Sequence, residues 1–460
     1  MRSVPGPPGR MTPLAASRLW FSIAFVVAAP LHAQGVTAVR AGTLIDGTGA
    51  PPLPKATVLV ENSRIAAVSP VPVAAPVGST RIDGTGKYLI PGLMDTHIHL
   101  AGGRQGMVTE GQRTLTLDLD TGVETLHGYL YSGVTTVYDS GNHAEFIFRM
   151  REDERTGKIV SPRIFATGPV VAFPGGYASG VGSTTIGSWD DVEQLNQLLA
   201  QKPDMIKIVL DPQGFVMNPL RPTFPPELLK RIVQHCQAHG FRTTIHVSTE
   251  AHALQAVEAG VNALAHVMVT GRINPRFAQF MASKRIPMST TMTVYNNIAR
   301  IADEPEMFDR RLFVATLEAP ELERQKTRER QRYIRSGMSA MFAVLMPYMK
   351  ENIGQLYQAG AVLAAGTDRT FGPTLHQELA TLVEAGVTPA DAIRMATLNG
   401  ALYLGQEQDL GSITRGKLAD MVLLSADPTV DINNAQAIEA VFKGGVRIDL
   451  DRLRLPVNRP

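Results

Sequence analysis

From residue 88 to residue 405 the chain alternates short apolar runs with longer stretches whose apolar positions recur every three to four residues. This is the pattern of strands and helices taking turns in a parallel sheet. Eight runs read as strands: Gly92–Ile98, Thr135–Asp139, Arg163–Thr167, Met205–Leu210, Arg242–His246, Ala263–His266, Pro287–Thr291 and Ala361–Thr367. Eight such strands over about 300 residues is the count of a TIM (β/α)8 barrel, and that α/β fold is expected here. Residues 36–87 differ, giving short strands at Ala38–Leu44, Thr57–Glu61 and Ile65–Val68 around an Asp46-Gly47-Thr48-Gly49 turn. They are too few to be stable alone. The complement lies in residues 406–450, at Met421–Ser425, Ala440–Lys443 and Val446–Asp449. A small composite β-sandwich domain made from both segments is therefore expected, with the barrel of residues 88–405 inserted into it.

The first 33 residues form a third pattern: Arg2, Arg10 and Arg18 are their only charges, and a Leu19–Ala29 run broken only by Ser22 leads to Ala33-Gln34. This is the layout of a signal peptide cleaved after Ala33. The run is too short for an ordinary transmembrane helix, so an exported, periplasmic or secreted enzyme with no stable membrane insertion after cleavage is expected. Without that leader's three arginines the formal charge of +2 becomes −1, and nothing argues for a nucleic-acid partner. The one cysteine, Cys236, excludes an intramolecular disulfide and falls on the apolar face of a helix with Leu228, Leu229, Ile232 and Val233. His235 and His239 beside it have the i, i+4 spacing of a zinc pair, but Gly240 ends the helix there and a histidine suits a last turn.

The chemistry-bearing residues sit where strands end. The first strand closes on Asp95-Thr96-His97-Ile98-His99, and period-two alternation puts both imidazoles on one face. The fifth ends in His246, the sixth in His266, the eighth in Asp368, and the fourth carries Lys207 among apolar neighbours. Singly, the histidines could be core residues and Asp368 a helix cap. Together they converge on one barrel mouth as an imidazole and carboxylate site suited to zinc. A desolvated Lys207 would have a depressed pKa, so that its neutral amine could take up carbon dioxide as a carbamate bridging two divalent metal ions. The alternatives are a lysine that snorkels to the rim or pairs with Asp204. Two cations sharing a hydroxide would supply a nucleophile, with Asp368 as ligand and proton shuttle to the leaving amine.

These stretches resemble the metal-dependent amidohydrolase superfamily, in its imidazolonepropionase/prolidase-like branch. The resemblance rests on Pro91-Gly92-Leu93-Met94-Asp95-Thr96-His97-Ile98-His99, Ile206-Lys207-Ile208, His246 with His266, Gly366-Thr367-Asp368, His376-Gln377-Glu378-Leu379, Ala392–Asn399 and the Gly411-to-Asp420 stretch. It implies a barrel with a composite β-sandwich, a binuclear zinc site held by His97, His99, Lys207, His246, His266 and Asp368, and hydrolysis of amides in dipeptides or N-acyl amino acids. Relatives of this branch include Xaa-Pro and Xaa-Arg dipeptidases and enzymes that split the amide of ochratoxin. A small-molecule or dipeptide substrate is thus expected, and a homo-oligomer is compatible with the sequence.

Two departures bear on specificity: Pro174-Gly175-Gly176-Tyr177-Ala178 replaces the Gly-Gly-His-Gly turn of many relatives, and Val267 replaces glycine after the strand-six histidine. Tyr177 could hydrogen-bond the scissile carbonyl or be an ordinary loop tyrosine. About sixty-five residues, Val294 to Gln358, separate strands seven and eight. They begin with Tyr295 and Asn296, two further candidate substrate contacts. The charged run Glu321-to-Arg335 reads as a solvated face, and the methionine-rich Met338–Met349 as a lid, a pocket wall or core. Two other readings stay open: a mononuclear cyclic-amide hydrolase or deaminase, which needs no Lys207, and a non-catalytic extracytoplasmic binding protein.

Overall fold

The computed structural model describes Met1 and residues 35–71, 73, 77–103, 105–109, 112–115, 117–180, 182–214 and 219–455. The expected signal peptide lies outside them. All eight expected parallel strands form, most of them shortened at one end or both. They are numbered here β1 (Leu93–Ile98), β2 (Val134–Asp139), β3 (Arg163–Ala166), β4 (Ile206–Val209), β5 (Thr243–His246), β6 (Ala263–Ala265), β7 (Met288–Ser289) and β8 (Leu363–Ala364). β1, β2 and β3 pair in parallel in one sheet, and β4 to β8 pair in parallel, in chain order, in a second. Hydrogen bonds join the strands at both seams. The Asp204 amide donates to Ala166 O at 2.9 Å, and on the other side Thr96 N donates to Ala365 O at 3.0 Å and Asp368 N to His97 O at 2.7 Å. β1, β2 and β4 are buried at every position, which explains why they read as unbroken apolar runs. Helices such as Pro226–Ala238, with Leu229, Ile232, Val233 and Cys236 buried, cover them through apolar stripes.

The two end segments make one eight-stranded sheet. Its centre is a strand the sequence did not announce, Thr80–Pro91, twelve residues long, which pairs in parallel with Thr37–Leu44 and antiparallel with Met421–Leu424. The expected boundary at residue 87 falls inside this strand, and the chain instead leaves the sheet at Pro91-Gly92. The sheet's far ends come back together. Ser63, in the turn between Thr57–Glu61 and Arg64–Ser69, accepts from Ala419 N at 2.9 Å, and Arg64 bridges Leu418. Val39, Val58, Val60, Leu89, Met421, Leu423 and Phe442 are buried in the resulting core. Asp420 ties this sheet to β3, accepting from Arg163 Nε and Nη2 at 2.7 and 3.0 Å and from Gly444 N at 2.6 Å.

The segment between β7 and β8 is helical: Met292–Arg300 (α1), five short helical pieces, then Met338–Gln358 (α2). Phe342, Met346 and Met349 are buried, so the methionine-rich stretch is largely core packing. Among the described residues, no helix is long and apolar enough to cross a membrane.

Candidate active site

The C-terminal ends of the strands bring the expected residues to one place. His97 and His266 have ring centroids 4.6 Å apart, His246 and His266 4.2 Å, and His97 and His99 5.5 Å. Asp368 Oδ1 stands 3.2 Å from His99 Nε2 and 3.7 Å from His97 Nε2. One ligand atom from each of His97, His99 and Asp368 lies within 4.8 Å of the others. Lys207 is 2 % exposed and donates to Ser140 Oγ at 2.9 Å. It does not pair with Asp204, which takes Arg151 and Arg155 at 2.7 and 2.6 Å.

The histidines are oriented by the protein in the manner metal ligands require. His99 Nδ1 donates to Gly141 O at 2.7 Å, and His266 Nδ1 pairs with Thr291 Oγ1 at 2.8 Å. His246 is turned the other way, its Nε2 on Asp211 Oδ2 at 2.9 Å. One ring nitrogen of each is thereby held, and in His99 the other meets Asp368. Buried His97 has no hydrogen-bond partner at Nδ1 among the described residues. Burial, followed by the charges of Lys207 and the other histidines, pushes His97 and His266 well below the usual imidazole pKa and keeps both neutral, the ligand form. Burial also lowers the Lys207 amine to about 7, against the opposing pull of Asp368. A divalent cation therefore suits the donor set.

A further set of groups steers these side chains. Asp95 accepts from Thr367 Oγ1 at 2.7 Å, Thr367 N at 3.0 Å and His97 N at 3.2 Å, locking β1 to the end of β8. Asp139 accepts from Leu100 N, Asn142 Nδ2 and Gly141 N at 2.8, 2.9 and 3.1 Å, which sets the turn that holds His99. Burial works against the Asp211 charge, yet the His246 hydrogen bond and nearby amides hold its carboxyl at about 2. Sequence reading assigned no role to Asp95, Asp139, Asp211 or Thr291. For Asp211 a signal existed, since it stands just beyond β4 in Leu210-Asp211-Pro212.

The candidate substrate contacts divide. The Tyr177 ring lies 5.5 Å from that of His246, and Tyr295 is buried with its ring 5.1 Å from Phe342. Burial and then the Asp368 charge raise the pKa of both phenols, so both stay protonated donors near the cluster. Asn296 is placed elsewhere, its amide donating to Thr381 Oγ1 at 2.9 Å in helix packing. The structure gives it no place at the mouth, because α1 turns it toward Thr374–Glu384 (α3). His235 and His239 are likewise engaged locally, with Asn196 and with each other's turn.

Parallel strands whose carboxyl ends gather four histidines, a lysine and an aspartate define a metal-dependent hydrolase class. The amidohydrolase family model matches residues 88–448, and the chain belongs to that family. It is similar to ochratoxinase of Aspergillus niger, with 26 % identity over 450 residues that cover 89 % of this chain and 86 % of that one. Over a shorter stretch it matches imidazolonepropionase of Rubrobacter xylanophilus, 34 % identical over 102 residues, 20 % of this chain and 25 % of that one. A solved Xaa-Pro dipeptidase with methionine bound in its active site shares the fold, with a TM-score of 0.71 and 22 % identity, covering 90 % of this chain and all of that one. The chain is thus an enzyme, a hydrolase acting on carbon–nitrogen bonds, of the branch that its motifs resembled.

Proposed function

We propose that this enzyme is an exported binuclear amidohydrolase that cleaves the amide of a dipeptide or an N-acyl amino acid. In this reading residues 1–33 are a cleaved signal peptide, residues 36–87 and 406–450 form a β-sandwich domain, and residues 88–405 close into a TIM barrel. The observation that carries it is the opposed orientation of the histidines, with one ring nitrogen of His99, His246 and His266 held by Gly141, Asp211 and Thr291 around a single buried lysine. His97 and His99 would hold one cation and His246 and His266 a second, with Asp368 on the first and Lys207, as its carbamate, between them. Divalent cations, zinc by preference, would there acidify water and polarise the scissile carbonyl. Asp368, 3.2 Å from His99 Nε2, would take a proton from the attacking water and return it to the leaving nitrogen. The Tyr177 and Tyr295 phenols would donate to the carbonyl oxygen as it gains charge. Ochratoxinase, similar over most of its length, supports an amide substrate.

Lys207→Ala tests the reading by metal analysis and turnover. About two metals per wild-type chain and about one in the variant, with hydrolysis of N-acyl amino acids lost, are expected. Full activity of the variant with one metal would sink the carbamate bridge. The compact His97, His99 and Asp368 trio favours the second reading, a mononuclear deaminase or cyclic-amide hydrolase. Ammonia release from nucleobase-like rings without amide cleavage would establish it.

A further inference from the structure

Beside Asp368 lies a cavity of about 310 Å³ whose walls come from two parts of the chain. Asp368, Arg369 and Phe371 form one wall; Gln325, Glu329 and Tyr333, from the segment between α1 and α2, form the other. The arginines of the helical wall are engaged, Arg324 with Glu321 and Glu329, and Arg332 with Glu329. Arg369 differs. Its backbone is fixed, with N on Thr367 Oγ1 at 3.3 Å, O accepting from the Tyr129 hydroxyl at 3.2 Å, and a parallel bridge to Ile98. Its guanidinium has no hydrogen bond or ion pair among the described residues. Opposite stands Gln325, only 4 % exposed, in a turn of π-helix. Its Nε2 donates to Glu321 Oε1 at 2.8 Å, and its Oε1 is buried with no hydrogen-bond partner among the described residues. An unpaired guanidinium on the wall of this cavity describes a ligand with a carboxylate.

We propose that this cavity receives the leaving half of the substrate, an amino acid whose free carboxylate is held by Arg369 across from Gln325. The side is set by Asp368, which borders the cavity and, in the function proposed above, hands its proton to the leaving nitrogen; the inference rests on that reading. The inserted segment then acts as the specificity wall for the amine product, and its charged run is more than a solvated face.

The test is calorimetric titration of the zinc-loaded enzyme with L-methionine and with L-methioninamide, beside kcat/KM for N-acetyl-L-methionine and its carboxamide. Wild type is expected to favour the free acid in both by roughly ten- to hundredfold, the discrimination of a charge-assisted pair. Arg369→Met is expected to abolish that preference through KM, with kcat and the carboxamide kinetics little changed, and Arg369→Lys to restore part of it. An acid-to-amide ratio unchanged in Arg369→Met overturns the subsite. Discrimination in binding with no hydrolysis of any amide would leave the subsite standing and remove the function assigned to it.

Discussion

His266, Thr291 and Asp368 hold left-handed backbone conformations, with φ of 73°, 47° and 51°. Each costs about 1 kcal/mol or more for a side chain with a Cβ, and such strain persists where the surroundings enforce it. All three lie at strand ends in the cluster, where a bound cation would supply part of that enforcement. Dialysis against a chelator is accordingly expected to lower Tm by several degrees and to open the Val267-to-Gly271 loop to proteases, both reversed by zinc. Asp211→Asn keeps an acceptor for His246 but removes the charge. A loss of metal affinity of roughly tenfold, read by chelator competition with an unchanged circular dichroism spectrum, is expected. At this scale the candidate ligands were legible only together, because HxH at one strand end, His246, His266 and Asp368 at three others and a lysine inside an apolar strand converge on one mouth. The steering groups were not, since which ring nitrogen is free depends on Gly141, Asp211 and Thr291, each placed by a different loop.

At the scale of elements, α1 begins without a side-chain cap of its own, and the cap comes from α3. Glu378 accepts from Met292 N, Thr293 N, Thr290 Oγ1 and Thr293 Oγ1 at 3.0, 2.6, 2.5 and 2.6 Å. The same turn contains Thr291, so Glu378 fixes the support of His266 from a distance. Glu378→Ala would strand several buried donors and is expected to cost about 3 kcal/mol or more in urea denaturation. The helices and the eight parallel strands were legible from periodicity. The strand Thr80–Pro91 was not, because Gly84, Thr85, Gly86 and Lys87 break its alternation. Pairing with Thr37–Leu44 on one side and Met421–Leu424 on the other overrides that weak propensity. The inserted segment was visible as surplus length, but its place against Asp368 depends on tertiary packing that no local pattern records.

For the whole molecule, pH stability offers a check. His376 is buried, its Nε2 donating to Ser132 O at 2.9 Å, and burial lowers its pKa from 6.5 to about 4. The unfolded chain therefore binds the proton first, so stability is full above about 6.5 and is lost as pH falls toward 4, by at most about 3 kcal/mol from this group. His376→Gln, which keeps a donor for Ser132, is expected to flatten the Tm curve between pH 6.5 and 4 relative to wild type. The junction offers another check. A Cβ at Gly92 would stand 2.0 Å from Thr135 Oγ1, so Gly92→Ala is expected to push β1 away from β2 and to lower both soluble yield and Tm.

The sheet shared by the chain's two segments sets an order of events during folding. Leu89 must wait for Leu423, its partner more than three hundred residues later, and until then one edge of the Thr80–Pro91 strand is open. The parallel strands that carry the site are made in between. A newly made chain therefore carries every candidate metal ligand before it can close its outer sheet, and for that interval the open edge belongs to the strand that leads directly into β1 and its two histidines.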